Sequence, residues 1–85
     1  MKPVEIYTTP YCPYCLAAKR LLTKKGVTFT EIDVSQHPAL RMAMTQRANG
    51  SRTVPQIFVG ERHVGGSDDL HALEYDGALD ALLAD

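Results

Sequence analysis

Eighty-five residues, 45% of them hydrophobic and with a formal net charge of −1, can close one modest core and not two. Nine basic against ten acidic residues, with few aromatics, leave no electrostatic footprint for nucleic acid, and no apolar run approaches membrane-spanning length. Lys2 is followed by Glu5 before any apolar stretch long enough for a signal sequence, so the expectation is a single domain over residues 1–85 working in the cytoplasm.

In chain order, Val4 to Thr8 reads as a strand. Residues 13 to 25 place Ala17, Ala18, Leu21 and Leu22 on one helical face, with Lys19, Arg20, Lys24 and Lys25 elsewhere and Gly26 as the stop. Val27 to Val34 is rich in β-branched residues and reads as a second strand, which a right-handed crossover sets parallel to the first. Pro38 opens a second helix in which Leu40 and Met44 share a face, and Gly50 ends it. Val54 to Val59 is nearly continuous in apolar residues apart from Gln56, the pattern of a buried central strand. Gly60-Glu61 then turns into Arg62-His63-Val64, predicting a hairpin. Gly65-Gly66-Ser67-Asp68-Asp69 supplies two permissive backbone positions, an N-cap in Ser67 and two acids for a third helix carrying Leu70 and Leu73. A short last helix after Gly77 presents Leu79, Leu82 and Leu83. The sum is an α/β fold, a four-stranded mixed sheet with helices on both faces.

Chemistry is concentrated in Cys12-Pro13-Tyr14-Cys15, between the first strand and the first helix. A helix starting there points its unpaired first-turn N–H groups and the positive end of its dipole at the Cys12 sulfur, which favours the attacking thiolate. Pro13 fits the first helical position, where a missing N–H costs nothing. Cys15, one turn further on and shielded by its own helix, suits the resolving role. A structural disulfide is disfavoured because so short a loop removes little entropy from the unfolded chain. Zinc is disfavoured because there are only two cysteines and His37, His63 and His71 are scattered singly, so no metal ligand is assigned.

Over its whole length the chain resembles the glutaredoxins, specifically the short dithiol class found in bacteria. The likeness is carried by Cys12-Pro13-Tyr14-Cys15, Thr53-Val54-Pro55-Gln56-Ile57-Phe58 and Gly65-Gly66-Ser67-Asp68-Asp69-Leu70, in that order and spacing. It implies a thioredoxin fold with strand order 2-1-3-4, glutathione as co-substrate, and Pro55 as a cis-proline facing the active-site sulfurs. It also implies glutathionylated and disulfide-containing proteins as partners of a monomeric chain, and a glutathione groove bounded by Tyr14, Thr53, Val54, Pro55, Gly66, Ser67 and Asp68.

The physics of these residues is compatible with that role. A proline entering a buried strand removes a ladder N–H and needs a special reason to be there. A cis bond after Val54 turns the Val54 N–H and C=O outward, where an extended ligand such as the cysteine part of glutathione can pair with them. The helix starting at Ser67 or Asp68 offers free N–H groups to the γ-glutamyl carboxylate, and Asp68 or Asp69 can meet its ammonium. Either acid can equally well only cap the helix. Two positions depart from the family pattern: Thr9, where many glutaredoxins carry a lysine for the glycine carboxylate, and Ser67, where many carry cysteine. Arg41 or Arg52 could supply the missing charge, although each also fits an ordinary solvated surface residue.

The reading is a glutathione-dependent thiol–disulfide oxidoreductase that works through a Cys12/Cys15 pair on glutathione mixed disulfides and protein disulfides. Two rivals belong to other classes. One is a carrier in which two chains share an iron–sulfur cluster held by Cys12 and glutathione, against which Pro13 stiffens the loop. The other is a thioredoxin-type reductase, weakened because thioredoxins usually place Gly-Pro between the cysteines after a tryptophan, and this chain has Pro-Tyr and no tryptophan.

Overall fold

The computed structural model describes all residues from Met1 to Asp85. Its elements are β1 (Val4–Thr8), α1 (Pro13–Lys24), β2 (Phe29–Asp33), α2 (Pro38–Arg47), β3 (Gln56–Val59), β4 (Arg62–Gly65), α3 (Ser67–Tyr75) and α4 (Leu79–Leu83). The strands form one sheet in the order β2-β1-β3-β4. β1 runs parallel to β2 and antiparallel to β3, and β3 runs antiparallel to β4. This is the mixed sheet of a thioredoxin fold, with the strand order that the resemblance implied.

Alternation along the central strands divides them between two cores. Val4 and Ile6 of β1 and Ile57 and Val59 of β3 meet Ala18 and Leu22 of α1, Leu70 of α3, and Leu79 and Leu83 of α4. On the opposite face Tyr7 and Phe58 pack with Val34, Met44 and Ala48, the last two from α2 and its end. α1 and α3 therefore lie together on one side of the sheet and α2 covers the other.

Four expectations change at their edges, the first being the N-cap of α3, which is Gly66, with Ser67 already the first helical residue. β2 is shorter than the run Val27 to Val34, because the Val27 N–H donates to the Leu22 carbonyl and closes the end of α1 instead of joining the ladder. β3 begins at Gln56 and not at Val54, since Pro55 has no N–H to give and Val54 makes no backbone–backbone hydrogen bond. Leu40, one turn before Met44 on the same helical face, is not buried with it. Met44 is fully buried whereas Leu40 is 41% exposed, because the second core reaches only the C-terminal half of α2.

Truncation should separate those two residues. Met44→Ala should cost about 2 to 5 kcal/mol of unfolding free energy, as for other fully buried aliphatic side chains. Leu40→Ala should stay within about 0.5 kcal/mol, the range of surface changes. Urea denaturation of both variants against the parent protein measures the difference.

Candidate functional site

β1 delivers the chain to the site through a reversal at Tyr11, whose φ of 61° lies in the left-handed region, into Cys12 in extended geometry. Cys12 is the N-cap of α1 and Pro13 follows at its first position. The Cys12 Sγ accepts the backbone N–H of Cys15 at 3.2 Å, so the sulfur occupies the place that a serine or aspartate oxygen usually takes at a helix start. That donated N–H and the positive end of the helix dipole both face the sulfur.

The two thiols differ sharply in environment. Cys12 is half-buried, Cys15 is 1% exposed, and both are free. Burial, reinforced by a hydrogen bond to Cys12, pushes the Cys15 thiol up from the ordinary 9.0 to about 12. Cys12 is thus the accessible sulfur, and Cys15 is a protonated reserve behind it.

Beside Cys12 lies a groove of about 280 Å³ that brings together Tyr14 of α1, Thr53, Val54 and Pro55 before β3, and Gly66, Ser67 and Asp68 at the start of α3. All of the residues expected at a binding groove therefore share one surface. The Val54 carbonyl oxygen is 3.9 Å from the Cys12 Sγ, and the Val54–Pro55 bond is cis. Because Val54 lies outside the ladder, its N–H has no partner and its carbonyl accepts only the long Cys12 Sγ contact, which leaves an edge for an extended ligand.

At the other wall the two aspartates part company. Asp69 turns back to accept the Gly66 N–H at 2.9 Å, the reciprocal half of a capping box. Gly65 makes room for it: with φ of 118°, it sits where a Cβ would overlap the Asp69 carboxylate. Asp68 is exposed and lines the groove with its carboxylate unengaged by any hydrogen bond or ion pair. The structure thus resolves the pair into a capping acid and a free one, which spacing alone left open.

A second cleft of about 540 Å³ borders both cysteines and includes Thr9, Tyr11, Leu16, Lys19 and Glu31. There the Lys19 ammonium and the Thr8 hydroxyl, at 2.9 and 2.8 Å, hold the Glu31 carboxyl below its usual range. Arg41 and Arg52, the candidates for replacing the lysine missing at Thr9, lie together and are not among the residues that line the groove. Arg41 Nη2 donates to the Arg52 carbonyl at 2.9 Å, and the two line a separate depression with Pro38 and Thr45. Sequence reasoning also missed Gln56 and His63, which are joined behind Thr53 by a 2.6 Å contact between His63 Nε2 and Gln56 Oε1. The one available signal was a lone amide in an apolar strand.

The glutaredoxin family model matches residues 4–64. A glutaredoxin of Pseudomonas aeruginosa is 61% identical over 84 residues, covering 99% of each chain. The solution structure of a glutaredoxin from Brucella melitensis superposes with a TM-score of 0.86 at 58% identity, over 98% of this chain and 89% of that one. The crystal structure of a buckwheat glutaredoxin–glutathione complex gives 0.88 at 33% identity, over 96% of this chain and 76% of that one.

The unequal thiols make two linked predictions. Iodoacetamide near neutral pH should label the reduced native protein once, at Cys12, with Cys15 reacting only after denaturation, as read by peptide mapping. A thiol held above its unfolded pKa keeps its proton in the folded chain after the unfolded chain has lost it. The Cys15 contribution to stability should therefore be full below about pH 9 and decline as pH rises from there toward 12. Alkaline denaturation of Cys15→Ala should show a shallower loss over that window than the parent protein.

Proposed function

The chain belongs to the glutaredoxin family, and we propose that it reduces glutathione mixed disulfides and protein disulfides, with Cys12 as nucleophile, Cys15 as resolving thiol and glutathione as reductant. The observation that carries this reading is the position of the Cys12 sulfur, at the head of α1 and 3.9 Å from the Val54 carbonyl, which lies outside the sheet ladder at the edge of the groove. The buckwheat relative, solved with glutathione, supports the choice of ligand. Coverage of 99% on both sides of the Pseudomonas match supports treating residues 1–85 as one glutaredoxin domain.

In this reading Val54 pairs through its backbone with the cysteine part of glutathione. The first N–H groups of α3, at Ser67 and Asp68, take the γ-glutamyl carboxylate, and the free Asp68 carboxylate meets its ammonium. Tyr14 covers one side and Pro55 forms the floor. The Cys12 thiolate attacks the glutathione sulfur of a mixed disulfide. A Cys12–glutathione bond forms, the bond to the substrate sulfur breaks, and the substrate leaves as a thiolate that takes a proton from water. The thiolate of a second glutathione then attacks the bound glutathione sulfur, which yields oxidised glutathione and regenerates the Cys12 thiolate.

For a protein disulfide, Cys12 forms a mixed disulfide with the target. Cys15 loses its proton and attacks the Cys12 sulfur, releasing the target thiol and leaving a Cys12–Cys15 bond for two glutathiones to reduce. Such chemistry belongs in the cytoplasm, where thiols are kept reduced.

Serine substitutions should split the two routes. Cys12→Ser should lose all activity, whereas Cys15→Ser should keep turnover of a glutathionylated peptide and lose most reduction of a protein disulfide. Coupling to glutathione reductase and NADPH measures both. Loss of peptide turnover in Cys15→Ser would overturn the one-thiol route.

A second pair tests the groove. Asp68→Ala should raise KM for the glutathionylated peptide about two- to fivefold, the range for a solvent-facing charge pair, without moving the unfolding midpoint. Asp69→Ala should instead lower stability by about 1 kcal/mol through loss of the cap. Equal KM effects, or equal stability effects, would remove the distinction between the two acids.

A further inference from the structure

Gln56 interrupts an otherwise apolar β3, and it is only 3% exposed. A buried amide costs free energy unless its donors and acceptor are paired. Here Nε2 donates to the Thr53 carbonyl at 3.0 Å and lies 3.2 Å from Thr53 Oγ1, while Oε1 meets His63 Nε2 at 2.6 Å. Since Oε1 only accepts, His63 carries its proton on Nε2, and its Nδ1 accepts from Asn49 Nδ2 at 3.3 Å. The irregular register between β3 and β4 sets His63 opposite Phe58. The His63 ring stacks on Phe58 with centroids 5.0 Å apart.

We propose that Gln56 and His63 form a bracket that positions the Thr53–Val54 backbone for the glutathione half of the substrate, an inference that rests on the groove assignment above. The Thr53 carbonyl and the Val54 N–H belong to one planar peptide unit, so fixing the carbonyl fixes the direction in which the N–H points. No ladder hydrogen bond holds Val54. Gln56 supplies the constraint that the sheet does not, and both of its donors converge on Thr53. His63 acts one step further back. Its Nε2–H holds the amide oxygen and so keeps the amide nitrogen turned toward Thr53; with that donor gone, the amide can rotate and set its oxygen against the Thr53 carbonyl. Both are positioning residues that touch no reacting atom.

Three variants test the bracket in the full chain, with a glutathionylated peptide as substrate and glutathione as reductant. Gln56→Met keeps length and loses the hydrogen bonds. His63→Phe keeps a ring against Phe58 and loses the donor. His63→Gln restores a donor without the ring. Gln56→Met and His63→Phe should raise KM about fivefold, the scale of one hydrogen bond, with kcat within about twofold. His63→Gln should lie close to the parent protein, and the Cys12 alkylation rate should be unchanged in all three. A role confined to stability would move the unfolding midpoint and leave KM alone. Should Gln56→Met fail to fold, the two His63 variants, at a half-buried position, decide between these outcomes. Parent-like KM in His63→Phe, or His63→Gln as impaired as His63→Phe, overturns the bracket. A parent protein inert toward the peptide overturns the groove assignment and the bracket with it; an active parent with unshifted variants overturns the bracket alone.

Discussion

The amide groups that open α1 need acceptors, and one of them, the Cys15 N–H, finds its acceptor in the Cys12 sulfur. Much of the site follows from this one interaction. It holds Cys12 at the N-cap, with its sulfur at the positive end of the helix and away from the core. It fixes Cys15 three residues on, where the first turn of α1 faces inward and burial withholds solvent from the second thiol. Two chemically identical residues become a half-buried, accessible thiol and a buried, protonated one because one lies at a helix start and the other under it. Tyr11 and Pro13 serve the same end, one by reversing the chain into the cap and the other by filling a position that needs no donor.

The two cores then set the walls of the groove relative to that sulfur. α1, α3 and α4 share the first core with β1 and β3, so the head of α1 and the head of α3 are anchored to the same strands. The Thr53–Val54 segment arrives at the edge of β3, pinned from the other face of the sheet by Gln56. The positive φ at Gly65 and the Asp69 carboxylate that fills the space a side chain would occupy show how closely the turn into α3 is packed.

Most of the fold was legible because it rests on short-range pattern. The strand at Val4–Thr8, the helix face of Ala18 and Leu22, the hairpin turn at Gly60-Glu61 and the 2-1-3-4 order implied by the resemblance all recur in the structure. Leu40 was misread because periodicity reports which residues share a face, not how far along a helix the core beneath it extends. The roles of Asp68 and Asp69 were unreadable for a related reason: adjacent residues of one charge differ only in side-chain direction, which the turn at Gly65-Gly66 decides. The Gln56–His63 link joins strands whose register is irregular, so no fixed spacing encodes it. The residues expected at the groove come together on one surface because each of the three motifs is a local backbone device.

The environment of Cys15 carries a further consequence for the order of events. Its thiol is held near 12 by burial, by the hydrogen bond to Cys12, and by the charge that a Cys12 thiolate presents, while Thr9 and Lys19 pull the other way. Cys15 therefore keeps its proton at neutral pH, and on the proposed route it does not compete with Cys12 for incoming disulfides. Once Cys12 enters a mixed disulfide its sulfur is neutral and a poor acceptor, and two of the three influences that raise Cys15 fall away. Burial remains, opposed as before by Thr9 and Lys19. On the proposed route the resolving thiol is therefore suppressed while the nucleophile is free and becomes more acidic once the bond it would attack has formed, so that electrostatics within one helical turn favour that order of steps.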